Sequence, residues 1–473
     1  MKTQLLILSF LFSVNLLNGA TYTVTSNVDG TTSDGVSLRW AITQANSNSG
    51  LDTIAFNIPG IAPQIIGLMT VLPNISVQNV FIDGSTQPPN GYTGPEPKII
   101  VQNNDTIDTG FYFFANSDSK IAGVWVRNFR NYGIYLFGSA VHLTIDNCKL
   151  SNNGINGFYL VGSSAHGEII NSTICNNLSD GISIFGAGAS ATITNNLVSG
   201  NGGRGIVING GSSPSGIRGN RVGTDSTGTL PFANSSYGID VETSGDTIGG
   251  DGAGEGNVVA FNLADGIHVG SGNGNRISRN SCFCNNLLGI NIGFANNGIA
   301  APLILSATTF HAGGTATANS SVELFYDTSC TGCEGKTWFA SVLTDTGGVW
   351  SYWGSIVYGS SITATQTDTL NNTSQFSICF QIITTDILYP NVSAVFDVFP
   401  NPANDLLNIH FNNLISPTVI SIYNLVGEKL FENNLGEGNT DMKINTRQFA
   451  AGVYIVKAVS STASYQRKMV IEK

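Results

Sequence analysis

A chain of 473 residues exceeds one ordinary domain, and only 11% of it is charged while 56 residues are Gly and 41% are hydrophobic. That balance excludes a disordered chain, which needs more charge and fewer apolar residues. The net charge is −11, and residues 21–393 hold 12 Lys and Arg against 24 Asp and Glu. So acidic a body excludes nucleic acid, whose binding rests on cationic contacts to phosphate.

Residues 1–20 read as a secretory signal peptide. Lys2 supplies the positive start, Leu5 to Leu17 is apolar, and Gly19-Ala20 offers small residues at the cut. The apolar run is too short for a membrane span. Residues 21–60 are expected to form an N-terminal cap. Ser37 begins a helix from Leu38 to Asn46, and Leu38, Ala41, Ile42 and Ala45 make one apolar stripe on it.

Beyond the cap a repeat dominates. A glycine followed by an apolar, a variable and an apolar residue recurs at Gly110, Gly133, Gly157, Gly181, Gly205, Gly238, Gly266 and Gly289, at intervals of 23, 24, 24, 24, 33, 28 and 23 residues. Asn153, Asn177, Asn201, Asn234, Asn262 and Asn285 each stand four residues before a glycine. A second asparagine column runs through Asn147, Asn171, Asn195, Asn220, Asn257 and Asn280. Asn accepts the left-handed conformation at corners, and stacked Asn side chains hydrogen-bond along a column. A coil of about 24 residues with short strands and Asn corners is a parallel β-helix, expected over residues 61–300.

Strand alternation turns the residue two places after each glycine outward. That column reads Tyr112, Tyr135, Tyr159, Ser183, Val207, Asp240, His268, Asn291. The tyrosines would form a ladder about 10 Å tall. It serves either as a platform for sugar rings or as cross-strand stacking that stabilises the sheet. Asp240 and Glu242, roughly 6.8 Å apart along one strand, match the carboxylate spacing of inverting glycosidases. His268 on the next coil can exchange protons. Arg204, Tyr237 and Asp265, each one residue before a glycine, flank this patch. A solvated polar face is the plain alternative. No residues are expected to hold a metal, and no cofactor is implied, with calcium on the acidic turns left open.

Residues 21–60, with SLRWAITQAN and DTIAFNIPG, together with FIDGSTQPPNGYTG, NRVGTDSTGT and TIGGDGAGEGNVVAFN, resemble secreted bacterial right-handed parallel β-helix proteins. By that resemblance GTDSTGT is a protruding hairpin, which explains the 33-residue interval. The paired-Asp, Gly-His-Gly and Arg-Ile-Lys elements of β-helix polygalacturonases are absent, as is the acidic cluster of a calcium-dependent pectate lyase.

Residues 301–383 lose the repeat and show alternating strands at Val322–Tyr326, Thr337–Val342, Ile362–Gln366 and Phe376–Phe380, as in a small β-sandwich. This stretch resembles the immunoglobulin-like modules that follow such β-helices and would shield the end of the solenoid. Cys330 or Cys333 pairs with Cys379, or these thiols stay free; a zinc pair lacks its second half. Cys148, Cys175, Cys282 and Cys284 are expected as buried, inert thiols.

Residues 394–473 carry VFPNPANDLLNIHF, ISIYNLVGEKLF and AAGVYIVKAV and end in YQRKMVIEK. They resemble the type A C-terminal sorting domain of the Bacteroidetes type IX secretion system. Ile420, Ile422 and Leu425, then Val453, Ile455 and Val459, are expected to face a small sandwich core. The resemblance implies passage through the type IX machinery, removal of the tail by its sortase, and covalent attachment to outer-membrane surface glycolipid. The protein is then extracellular or cell-surface anchored. A non-catalytic, monomeric glycan-binding or adhesive scaffold is the preferred expectation. A polysaccharide lyase or glycoside hydrolase using Asp240, Glu242 and His268 is its rival, and a purely structural spacer is the third reading.

Overall fold

Each coil of the repeat lays one short strand on each of three parallel sheets, of ten, nine and eight strands. The computed structural model describes residues 19–30, 35–48, 50–76, 79–114, 118–210, 214–327, 334–357, 360–382, 396–411, 418–436, 440–460 and 464–473. The apolar part of the expected signal peptide and Cys330 and Cys333 lie outside them. The chain divides into two compact units, Met1–Thr384 and Thr385–Lys473.

The first unit is a right-handed parallel β-helix of about ten turns. Its register follows the glycine repeat: Phe158 pairs with Ile134 and Ile182, and Tyr159 with Tyr135 and Ser183. Ile134, Phe158, Ile182, Ile206, Ile239 and Ile267 thereby stack inside the coil, all fully buried. The glycine that opens each repeat has a steric cause. A Cβ on Gly181 would lie 2.9 Å from Asn201 Nδ2 and 2.7 Å from the Gly205 carbonyl oxygen. Only a residue without a side chain lets the asparagine column pass.

That column is a hydrogen-bonded ladder at the corner between the second and third sheets. Each side-chain Nδ2 donates to the next Oδ1, from Asn153 to Asn177, Asn201, Asn234, Asn262 and Asn285, over 2.9–3.0 Å. At the corner between the first and second sheets the ladder runs Ser172, Asn196, Asn220, Asn257, Asn280. This corrects the second sequence column. Asn147, Asn171 and Asn195 stand one residue too early, in the left-handed conformation at φ 49°, 52° and 58°. Two adjacent residues perform two tasks at this corner, one turning the chain and one bonding inward, as Asn195 and Asn196 do side by side, and spacing alone merges them.

Both ends of the coil stack are closed. The helix Leu38–Ser47 buries Leu38, Ala41, Ile42 and Ala45 against the first coils, with Ser37 Oγ accepting from the Trp40 N–H. At the other end sits a sandwich of one three-stranded and one four-stranded antiparallel sheet, the latter built on Ser321–Tyr326 and Ser361–Thr367. Phe325 and Phe376 belong to the apolar core of the coils and meet edge to face at 5.4 Å. The expected strand Phe376–Phe380 is reduced to Phe380–Gln381 because Phe376 plugs the solenoid instead of pairing. Polar groups finish the cover. Glu323 accepts from Ser278 Oγ and from the Arg279 N–H, Asn372 from the Gly274 N–H, and Thr373 from the Ile277 N–H. The open edge of a β-stack is a template for aggregation, and here the Gly274, Ile277, Arg279 and Cys282 N–H groups are taken.

Cys148, Cys175 and Cys282 are buried free thiols, whereas Cys284 and Cys379 are disulfide-bonded. Cys284 therefore departs from the inert role expected of it. It lies at the docked end of the coil, where a crosslink can form.

In the second unit, a three-stranded and a four-stranded antiparallel sheet enclose a separate core. Ile420 and Ile422 are buried as expected, but Leu425 is exposed in a turn, and Tyr454, Val456 and Ala458 face inward in place of Val453, Ile455 and Val459. Both faces of the strand Gly452–Ser460 are apolar, so alternation could not fix which one points in.

Candidate functional site

The outward column of the third sheet forms as the repeat requires. Tyr112 pairs with Tyr135, Tyr135 with Tyr159, Tyr159 with Ser183, Ser183 with Val207, Val207 with Asp240, Asp240 with His268 and His268 with Asn291. Two regions of very different chemistry share it.

In the first, Tyr112 and Tyr135 stack at 5.0 Å with planes 7° apart, and Tyr135 and Tyr159 at 5.4 Å and 21°. Tyr132 joins at 4.7 Å from Tyr159. Burial among these rings pushes the Tyr135 phenol up to about 12, with the neighbouring tyrosines adding to the effect. The ring faces are turned onto one another. Edges and hydroxyls, not an open aromatic bed, are what a ligand would meet, and this geometry favours the sheet-stabilising reading of the ladder.

The second region centres on Arg204. Its Nε and Nη2 donate to Asp180 at 3.2 and 3.1 Å, and its Nη1 to Asp240 at 2.8 Å. Asp180 and Asp240 belong to coils on either side, so the guanidinium spans the column at Val207, which is fully buried. Asp240 is only 2% exposed although its position points out of the coil. Its second oxygen shares a 2.7 Å hydrogen bond with His268 Nδ1. The His268 ring lies face to face with Tyr237 at 4.3 Å and 10°. The bond to Asp240 raises the imidazole above its usual range against the opposing pull of burial, and Asp265 and Glu242 help. Asp265 also accepts from the Leu288 N–H and the Asn291 amide. A Cβ on Gly270 would clash with the Glu242 carboxylate, so glycine there gives that side chain its place.

Arg204, Tyr237, Asp240, Glu242, His268 and Asp265 are thus brought together. The tyrosine ladder stands apart from them, three coils away along the column. Asp180 was not singled out in the sequence; its signal was Arg204 one coil later. One ligand atom from each of Asp240, Glu242 and His268 lies within 4.8 Å of the others. Such a cluster has the donor set for a cation, but both Asp240 oxygens already accept hydrogen bonds, from Arg204 and His268.

Known proteins match the two units separately. Residues 397–472 match the secretion system C-terminal sorting domain, and residues 73–174 and 98–222 match the right handed beta helix region. The chain is a right-handed β-helix protein with a secretion sorting domain. That domain marks this β-helix protein for type IX export to the cell surface or extracellular space. No curated protein matches it. Three solved structures give a TM-score of 0.28 each. The periplasmic alginate epimerase AlgG is 14% identical over 51% of this chain and 57% of its own. Pectate lyase Pel9A is 18% identical over 57% and 67%, and the Dettilon tailspike protein 12% over 95% and 85%. The β-helix protein thus spans little more than half of the epimerase.

Proposed function

We propose that this exported β-helix protein is a non-catalytic glycan-binding scaffold at the cell surface, with Arg204, Tyr237, Glu242 and His268 as its binding centre. One observation carries this reading: a buried charge network is built on the outward column. Asp240 is held between Arg204 and His268, and His268 is fixed in turn by Tyr237. Burying carboxylates is costly unless they are paired, and the other outward positions of the column hold Tyr, Ser, Val and Asn. The network presets side chains of the kind that meet sugar hydroxyls and ring faces. The bond to Asp240 favours the imidazolium, the form in which both ring nitrogens donate hydrogen bonds.

The same Asp240–His268 pair supports one second reading. A carboxylate orienting a histidine beside Glu242 is a possible acid–base set for a polysaccharide lyase or glycoside hydrolase. The chain without its expected signal peptide, residues 21–473, incubated with a polysaccharide panel separates the two. We expect retention of a polymer without new reducing ends or unsaturated uronates. Turnover abolished by Asp240→Asn would establish the enzyme reading instead. In this proposal the type IX sortase exchanges the sorting domain for surface glycolipid, and closed ends keep the solenoid monomeric. Loss of surface display on deleting residues 394–473 tests the first point.

A further inference from the structure

A groove of ≈ 380 Å³ follows the corner between the second and third sheets and is lined by Asn104, Asp105, Asn128, Asn152, Asn176 and Leu178. Its residues come from successive coils. Asp105, Asn128, Asn152 and Asn176 all adopt the left-handed conformation, at φ 60°, 61°, 55° and 57°, and Gly200 continues the row at 70°. A shared backbone conformation at each coil aims their side chains alike. Immediately inside them, Asn153, Asn177 and Asn201 spend their amides on the ladder. The outer amides are scarcely used. Among the described residues Asn152 Nδ2 reaches only Ser151 Oγ at 3.4 Å, and Asn176 Nδ2 only Cys175 Sγ at 3.9 Å. No donor among the described residues bonds their side-chain carbonyl oxygens.

The row has a built end. The insertion that stretches one repeat to 33 residues returns to the coil at Phe232, whose carbonyl accepts from the Gly200 N–H at 2.9 Å. The Phe232 ring occupies the space a Gly200 side chain would need, and Asn176 Oδ1 lies 2.9 Å from that same point. Phe232 is 36% exposed and Leu178 75%. The groove thus joins an amide row to an apolar shelf, and the Phe232 ring stands beside Asn176 where the row ends. No cation lines it, and its one carboxylate is Asp105.

Side-chain amides pair a donor with an acceptor, which suits adjacent hydroxyls, while leucine and phenylalanine suit the C–H faces of sugar rings. A row advancing one residue per coil fits an extended chain lying along the solenoid axis. We propose that this corner groove binds a neutral polysaccharide, with Asn128, Asn152 and Asn176 contacting its hydroxyls and Phe232 packing on a sugar ring at one end. The ligand class rests on the glycan-binding reading given above; the location is independent of the Arg204 network.

The test is affinity electrophoresis of residues 21–473 in native gels cast with glucomannan, xyloglucan or pullulan, beside gels with polygalacturonate. The Asn152→Gly/Asn176→Gly double variant removes two amides but keeps a backbone that Gly200 already adopts in the same row, and thermal melts check each fold. Retardation by a neutral polymer that falls at least tenfold in the double variant and in Phe232→Ala, and survives His268→Ala, supports the groove. Retardation lost in His268→Ala but unchanged in the asparagine and phenylalanine variants overturns the groove and leaves the Arg204 patch as the binding centre. Retardation by polygalacturonate alone also overturns the groove. No retardation in any gel overturns both.

Discussion

The tyrosine half and the charged half of the third sheet occupy one column of one register, yet they hold themselves together differently. In the tyrosine half each ring leans on its copy one coil away, so every contact is nonpolar and interchangeable. In the charged half Arg204 ties Asp180 to Asp240 across an intervening coil, and Asp240 in turn fixes His268. The solenoid tolerates either solution because its inward residues and asparagine ladders do not change. Outward chemistry is therefore free to vary along the stack, and a costly arrangement there signals use.

The sharpest way to break this contrast is to remove Arg204. Arg204→Met leaves Asp180 buried without a cation and Asp240 with His268 alone, and should cost about 3–5 kcal/mol in urea unfolding. A loss below about 1 kcal/mol would mean that the network behaves as an exposed ion pair.

Glu334 sharpens the same point from the opposite side, as a buried carboxylate to which no cation bonds among the described residues. It is 1% exposed, and burial pushes it up to about 7, with Asp327 adding to the effect despite the bond from the Asn285 amide. Its ionised form is the costly one, so stability should fall as pH rises from the unfolded value near 4.5 and level off above about 7. Glu334→Gln should then stabilise by about 3 kcal/mol at pH 8 and by almost nothing at pH 4. Chemical melts at the two pH values check this, and a gain independent of pH would refute it.

The tyrosine half should respond more mildly. Tyr135→Leu keeps an apolar residue in the column and should cost about 1 kcal/mol. Intact retention of polysaccharide by this variant would agree with ring faces that are covered, and its loss would restore the platform reading.

The smallest effect concerns His268. Its pKa is raised mainly by Asp240, so its bond stabilises fully below the unfolded value of about 6.5 and fades as pH climbs through the folded one. Asp240→Asn should lower the pKa seen by NMR titration of the ring protons. His268→Gln should cost less at pH 8 than at pH 5.

Most of the architecture was legible because period dominates this sequence. The glycine repeat fixed which residues pair, and Val207, Asp240 and His268 fell into one column as the spacing required. What escaped was decided by contacts the period does not record. Asp180 needed the reach of an arginine from the next coil, and the outer amides of Asn152 and Asn176 look in sequence like further members of a ladder. Phe376 resembled a strand residue because alternation around it was apolar, whereas the open end of the coils claimed it. The inward face of Gly452–Ser460 was ambiguous for the same reason.

The registered coil has a consequence for how such a molecule changes over time. Because coils such as those starting at Gly133, Gly157 and Gly181 each add one residue to every column, duplicating 24 residues inserts a complete cross-section without disturbing the two ends. The chain is in effect a measuring rod whose graduations are copied whole. Lengthening it would extend the corner row by one more amide, so reach along a polymer can grow by gene-level repetition before any single residue is refined.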